Sequence, residues 1–128
     1  MEKDFDNWNI IKKETHGKKL PPLFSEREVW WCALGINIGS EEDGKGLNYL
    51  RPVLVARKFN KDIFYGLPIT SNKKDNKFHL IIDSGDIQGS IILSQMRLIY
   101  AKRLSHLFGK ITDKELNEVK KKLKVLLP

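Results

Sequence analysis

The sequence has a single cysteine, three scattered histidines and no long apolar run. One thiol excludes an internal disulfide framework, and His16, His79 and His106 do not have the spacing of metal ligands. No segment approaches the roughly 20 apolar residues of a membrane span, and the charged N-terminus lacks the apolar region of a secretion signal. We therefore expect a cytoplasmic protein that does not act in a membrane.

The composition indicates one basic globular domain. At 128 residues, with 41% hydrophobic content, the chain can bury a core without disulfides or metals. Its net charge of +7 favours polyanionic partners. One segment differs, because residues 25–52 hold three basic and five acidic residues and carry a net charge of −2. Glu41, Glu42 and Asp43 account for most of this acidity and need an explanation.

Short apolar runs separated by turn residues predict a mainly β domain. The run at 53–55 is apolar throughout, which indicates a central strand buried on both faces. We interpret the segment 106–109, which ends in glycine, as a turn. The predicted strands are 29–34, 52–56, 63–69, 78–82, 90–93 and 97–100.

The two ends of the chain carry helical patterns. Thr112 followed by Glu115 forms a capping box, and apolar residues then recur on one face up to Leu126, which predicts a C-terminal amphipathic helix. Near the N-terminus, Phe5, Trp8 and Ile11 have the spacing of one face of a short helix. We therefore divide the chain into an extension, 1–25, that can be helical, and a domain, 26–128.

The glycine-rich loop around Glu41 is not a phosphate-binding loop of the nucleotide-binding type. Residues 39–45 satisfy the G-x-x-x-x-G-K pattern, but Gly46 replaces the hydroxyl residue that binds magnesium, and three acids would repel phosphates. Glu41, Glu42 and Asp43 could instead hold magnesium in a metal-dependent nuclease. A solvated turn is the alternative interpretation.

Arg51 follows this acidic loop and begins the central strand. Its guanidinium could bind a phosphate through two hydrogen bonds, or it could form a structural salt bridge with Glu41 or Glu42. Thr70 and Ser71 end another strand, where their hydroxyls could donate to phosphate oxygens or cap a turn. Lys73, Lys74 and Lys77 follow on a loop that suits a phosphate backbone, although a lysine-rich exposed turn needs no function.

Three neighbouring residues in the first strand invite separate interpretations. Trp30 and Trp31 point to opposite faces, so only one can lie in the core, and the other could stack on a base or lie in an interface. Cys32 has an apolar sequence context and is interpreted as a buried structural thiol.

Six short motifs follow one another along the chain. They are Glu28-Val-Trp-Trp, Gly39-Ser-Glu, Arg51-Pro-Val-Leu-Val, Phe59-Asn60, Pro68-Ile-Thr-Ser and Ser94-Gln-Met-Arg-Leu-Ile. In this order and spacing the motifs resemble the MazF/PemK (Kid) family of toxins from bacterial toxin–antitoxin pairs, and the resemblance covers about residues 26–127.

The resemblance implies an SH3-like, partly open barrel with a C-terminal helix, acting as a homodimer. It also implies metal-independent, sequence-selective cleavage of single-stranded mRNA by the ribose 2′-oxygen, without a cofactor, and inhibition by a cognate antitoxin protein. Arg51, Thr70 and Glu41 would be catalytic. We expect further substrate contacts from Ser71, Gln95, Lys45, Lys73, Lys74 and Asn48.

The sequence also departs from the family pattern. Arg27-Glu28 replaces the usual Gly-Asp, so we expect a different entry turn into the first strand. Ile92 and Ser94 stand where some members have an arginine and a catalytic aspartate, which favours a mechanism based on Arg51 and Thr70. The alternatives are a toxin of the same fold that inhibits a protein such as gyrase, and a non-catalytic RNA-binding barrel.

Overall fold

The computed structural model describes residues 20–34 and 50–127, which form seven strands and one long helix. This arrangement confirms the predicted mainly β fold with a C-terminal helix. The helix predicted near Phe5, Trp8 and Ile11 lies outside the described residues. The elements are β1 (Glu28–Cys32), β2 (Arg51–Lys58), β3 (Ile63–Thr70), β4 (His79–Ser84), β5 (Ile87–Ile92), β6 (Arg97–Tyr100), β7 (Leu104–Lys110) and α1 (Asp113–Leu126), with one-turn 3-10 helices at Leu93–Gln95 and Ala101–Arg103.

The strands form one antiparallel sheet that bends at β3. Their order is β4-β5-β3-β2-β1-β7, and β6 also pairs with β3. The first half of β3 pairs with β6, from Ile63 to Gly66, whereas Ile69 and Thr70 pair with β5. Because β3 changes its partner along its length, the sheet curves into an open barrel.

The strand β2 lies at the centre of the core, as its apolar run predicts. Val53, Leu54 and Val55 are fully buried, and successive side chains point to opposite faces of the sheet. Leu54 joins a cluster that includes Leu116 and Val119 of α1. Val53 and Val55 join a second cluster on the other face. We call these the helix-side core and the open-side core.

The C-terminal helix begins with the predicted capping box. The Thr112 side chain accepts a hydrogen bond from the Glu115 backbone amide at 3.1 Å, and the Glu115 carboxylate accepts from the Thr112 amide at 2.9 Å. These two bonds satisfy amides that the first turn leaves unpaired. Lys120, Lys121 and Lys124 are exposed, as expected for the polar face of an amphipathic helix.

The interpretation of residues 106–109 as a turn is wrong, because they belong to β7. This strand pairs with β1, and the pairing contains two register irregularities. In the described sheet β7 lies at the end of the strand order, and Ser105, His106 and Leu107 are exposed in succession. An edge strand with bulges buries no regular alternate row, so its sequence lacks the period of two.

Arg27 enters β1 with a backbone φ of 80°, a conformation that glycine adopts most easily. Its backbone amide donates to the Val55 carbonyl at 3.0 Å, and its carbonyl accepts from the Ile111 amide at 2.9 Å. Its guanidinium donates to the Ile111 carbonyl at 3.3 Å and pairs with exposed Asp113. The backbone contacts hold this residue in the strained region.

Replacing Arg27 separates the effect of backbone strain from that of the side chain. Arg27→Gly and Arg27→Ala both lose the guanidinium contacts, but only glycine relieves the positive φ. We expect the glycine variant to exceed the alanine variant by about 1 kcal/mol in unfolding free energy. Urea denaturation of the two proteins measures this difference. An alanine variant at least as stable as the glycine variant would contradict the assignment of strain.

Candidate functional site

Arg51 and Thr70 lie at the same end of two neighbouring strands. The paired positions of β2 and β3 end at Val53 and Pro68, so both residues lie two positions beyond the last pair. Strand alternation directs both toward the open-side face, on which Val53 and Phe64 also lie. Arg51 is exposed and Thr70 is half-buried. A cation and a hydroxyl are thereby brought together at one strand end.

The end of β3 continues into a loop that carries two exposed lysines. The Thr70 hydroxyl oxygen accepts a hydrogen bond from the Asn72 amide at 3.3 Å. A hydroxyl also has one hydrogen to donate, so this contact leaves Thr70 able to donate to a phosphate oxygen. Ser71, Lys73 and Lys74 are exposed beside it. The loop therefore has the donors and the positive charge that bind a phosphate backbone.

Two further arginines, which the sequence analysis did not select, lie near this end of the sheet. Arg97 of β6 pairs with Gly66 of β3, and Arg103 donates to the Ala33 carbonyl at 3.4 Å. The positive charges of both act on the Cys32 thiol, and Cys32 pairs with Arg51. The Ser94-Gln-Met-Arg motif already contained Arg97 and was the one sequence signal that could have identified it.

Gln95 is exposed in the 3-10 turn that connects β5 to β6. Both of these strands pair with β3, β5 at Ile69 and Thr70 and β6 up to Gly66. The connecting turn therefore runs beside the stretch of β3 between Gly66 and Ile69. The residues around Gln95 pack on the helix side, since Leu93 belongs to the helix-side core and Met96 packs against it, so a substrate contact from Gln95 stays a prediction.

Burial explains the state of Cys32. Its side chain is fully buried in the open-side core, and this burial raises the pKa of the thiol to about 12, against the lowering effect of Arg103 and Arg97. A thiol with this pKa is neutral at physiological pH and is a poor nucleophile. Cys32 is therefore a structural residue, as its sequence context predicts.

Native Cys32 is expected to resist alkylating and disulfide reagents. With a pKa of about 12, roughly one thiol in ten thousand is ionised at pH 8, compared with about one in ten at the ordinary pKa of 9.0. The absorbance change with a chromogenic disulfide measures the rate at pH 8, with and without urea. We expect labelling at least 10³-fold slower in the folded protein, and rapid native labelling would contradict burial of the thiol.

The tryptophans divide between core and surface. Trp30 is buried and its indole nitrogen donates to Glu28 at 2.9 Å, whereas Trp31 is half-buried on the other face. Trp31 stacks with His106 at 6.1 Å and with Phe108 at 5.1 Å between ring centroids. Trp30 is thus the core residue of the pair.

Three of the predicted site residues, Glu41, Lys45 and Asn48, lie outside the described residues, as do Glu42 and Asp43. Within residues 20–34 and 50–127, no group of three or more histidine, cysteine or acidic side chains could hold a metal ion. Over the same residues, no helix is long and apolar enough to cross a membrane.

The sequence matches the model of one known protein family. The model describes PemK-like, MazF-like toxins of type II toxin–antitoxin systems and matches residues 25–127. The chain belongs to this PemK/MazF family. A search of characterised protein sequences finds no significant match.

Solved structures of MazF toxins share the fold at low sequence identity. An endoribonuclease in complex with its cognate antitoxin from a mycobacterial species has a TM-score of 0.61 at 18% identity, covering 84% of this chain and 97% of that chain. A MazE–MazF complex from Deinococcus radiodurans has a TM-score of 0.58 at 16% identity, covering 82% and 96%. The Mycobacterium tuberculosis toxin MazF-mt6 has a TM-score of 0.58 at 15% identity, covering 77% and 94%.

Two sequence motifs of this PemK/MazF-family toxin lie at the same end of the sheet. Arg51-Pro52 begins β2, and the Pro68 to Ser71 motif ends β3, so both lie at the same end of the sheet. Arg97, from the motif that follows Ser94, pairs with β3. Residues that are far apart in sequence therefore lie on neighbouring strands of the sheet.

Proposed function

We propose that this toxin is a metal-independent endoribonuclease that cuts single-stranded mRNA with sequence selectivity. The observation that supports this most is the location of Arg51 and Thr70 at one end of neighbouring strands, on the open-side face. Lys73 and Lys74 add positive charge on the loop after Thr70. Arg97 and Arg103 add positive charge near Cys32, which pairs with Arg51.

In the proposed reaction the ribose 2′-oxygen attacks the adjacent phosphorus. The new bond to the 2′-oxygen forms while the bond from phosphorus to the 5′-oxygen breaks, leaving a 2′,3′-cyclic phosphate and a 5′-hydroxyl. Arg51 stabilises the negative charge that develops on the phosphorane oxygens, since its planar guanidinium can donate two hydrogen bonds at once. The Thr70 hydroxyl donates to the same phosphate.

The reaction also needs groups that move protons. The proton of the attacking 2′-hydroxyl must pass to a base, and the leaving 5′-oxygen must receive one. We propose Glu41 as the proton acceptor or as the residue that orients Arg51. Further contacts to the RNA backbone and bases are proposed for Ser71, Gln95, Lys45, Lys73, Lys74 and Asn48.

Two protein partners follow from the same proposal. Two of the neighbouring structures are complexes of a toxin with its antitoxin. We propose that a cognate antitoxin covers the basic site of this toxin with a disordered acidic segment, and that the toxin acts in the cytoplasm. We also propose a homodimer built from the domain 26–128, with RNA lying across the interface and 1–25 as an extension.

Mapping of reaction products tests the proposed activity. Purified protein is incubated with single-stranded RNA and with DNA of the same sequence in excess chelator, and the product ends are determined. We expect cleavage of RNA alone, with 5′-hydroxyl and 2′,3′-cyclic phosphate ends. A freshly purified, folded protein that leaves RNA intact would contradict the proposal and favour a toxin directed at a protein target or a non-catalytic RNA-binding barrel.

A further inference from the structure

Ser90 is a buried polar residue beside the candidate site. It lies on β5, where it pairs with Thr70 of β3, and its side chain is fully buried. The Ser90 hydroxyl donates to the Asn72 carbonyl at 2.5 Å and accepts from the Lys74 amide at 2.8 Å. One side chain thus bridges two backbone groups of the loop that follows Thr70.

The neighbouring glycine explains how the loop comes so close to β5. Gly89 has a φ of 142°, and a β-carbon placed there would lie 1.9 Å from the Thr70 carbonyl oxygen and 3.0 Å from the Ser71 α-carbon. The backbone at Thr70 and Ser71 therefore packs directly against β5 where a side chain is missing. Gly89 permits this approach, and the Ser90 hydroxyl holds the loop once it is there.

We propose that Ser90 is a positioning residue for RNA binding, acting through the loop of residues 70–74. This inference rests on the proposed function and goes beyond it, because Ser90 is fully buried and acts only through the loop. Its two hydrogen bonds span Asn72 to Lys74, so they fix the segment that carries Lys73 and Lys74. Asn72, whose amide orients the Thr70 hydroxyl, is held by the same residue.

The physical reason is that exposed lysines bind phosphate well only when their backbone is already ordered. A long, flexible side chain loses entropy when it binds, and a loop that must also be ordered loses more. With Ser90 in place, the loop is ordered before RNA arrives. Without the hydroxyl, the Lys74 amide and the Asn72 carbonyl both lose their partner, and the loop no longer has this anchor.

Replacement of Ser90 by alanine tests the proposal through binding. The probe is a single-stranded oligonucleotide with 2′-O-methyl riboses, which cannot be cut by the 2′-oxygen. We expect Ser90→Ala to raise the Kd about tenfold at 0.15 M salt, through lost order in the loop. The slope of log Kd against log salt concentration should fall by roughly 1.4, because Lys73 and Lys74 would each lose a phosphate contact and each contact on a single strand contributes about 0.7 to the slope.

Combination with the lysines shows whether Ser90 acts through them. In a Lys73→Ala/Lys74→Ala background, Ser90→Ala should raise the Kd by much less than it does in the wild type, because the two lysines that it positions are gone. Additive losses in the triple variant would overturn the proposal. Ser84→Ala is the matched control, since it removes a β4 hydroxyl that donates to Glu115 of α1. This variant should bind the oligonucleotide like the wild type.

Three readouts keep the outcomes distinct. Hydrogen exchange at the Lys74 amide should accelerate in Ser90→Ala, and a thermal melt confirms that the variant is folded. If the wild type binds the oligonucleotide and Ser90→Ala binds equally well, the positioning role is wrong while the proposed function stands. If the wild type binds the oligonucleotide but does not cut unmodified RNA, the proposed cleavage is wrong while the positioning role of Ser90 stands. If the wild type binds no RNA, both proposals are wrong.

Discussion

Arg51→Ala is expected to lower kcat for RNA cleavage about 10³-fold, since removal of one preorganised donor to a developing anion typically costs 10² to 10³. Arg51 begins β2 at the strand end that it shares with Thr70, and its charge would act mainly on the phosphorane. Arg51→Lys keeps the charge but loses the two-pronged geometry, so it should retain intermediate activity. Single-turnover cleavage at saturating protein measures both.

Arg57→Ala is the matched control for Arg51. Arg57 is an exposed arginine at the opposite end of the same strand, where its guanidinium lies 5.5 Å from the centre of the Phe59 ring. Its removal also lowers the net charge by one, so it reports the effect of charge alone. We expect cleavage within about threefold of the wild type. If the two alanine variants lose activity equally, Arg51 has no specific role in the reaction.

Gly89→Ala is expected to lower the unfolding free energy by about 3 kcal/mol. The new β-carbon would lie 1.9 Å from the Thr70 carbonyl oxygen, so β5 and the end of β3 must separate. Overpacking and a strained positive φ each typically cost about 1–3 kcal/mol. A thermal melt should show a fall of roughly 10 °C in Tm.

Gly85→Ala separates the effect of strain from that of the clash. Gly85 also has a positive φ, 67°, but no atom lies within 4 Å of a β-carbon placed there. We expect a loss of only about 1 kcal/mol in this variant. If Gly89→Ala is no less stable than Gly85→Ala, then the close approach of β3 to β5 does not exist in solution. The positioning role of Ser90 would then lose its structural basis.

The central strand could be predicted from the sequence because both of its faces are buried. Residues 53–55 are apolar in succession, and Val53 and Leu54 belong to different cores. The strand β7 could not be predicted in this way, since it lies at the end of the strand order and has exposed residues in succession. Hydrophobic periodicity reports burial, so it fails where a strand is held mainly by backbone hydrogen bonds to one neighbour.

The candidate site was predictable only in part, for a related reason. Arg51 and Thr70 each lie at the end of an apolar run, and such a run shows in the sequence where a strand ends. Arg97 comes close to Cys32 because β3 pairs with both β2 and β6, whereas Arg103 does so because β7 pairs with β1, where Leu104 lies opposite Cys32. No local pattern encodes either pairing. Ser90 is a small polar residue within an apolar strand, and its role depends on the contact that Gly89 allows.

In the proposed mechanism the 2′-oxygen of RNA is the nucleophile, and Arg51 and Thr70 bind the phosphate that it attacks. An RNA substrate with one 2′-deoxyribose, placed immediately 5′ to a mapped cleavage site, tests this most directly. In excess chelator, we predict that cleavage at that bond disappears while binding and cleavage at other sites are unchanged. Cleavage of the modified bond at the normal rate would contradict the mechanism.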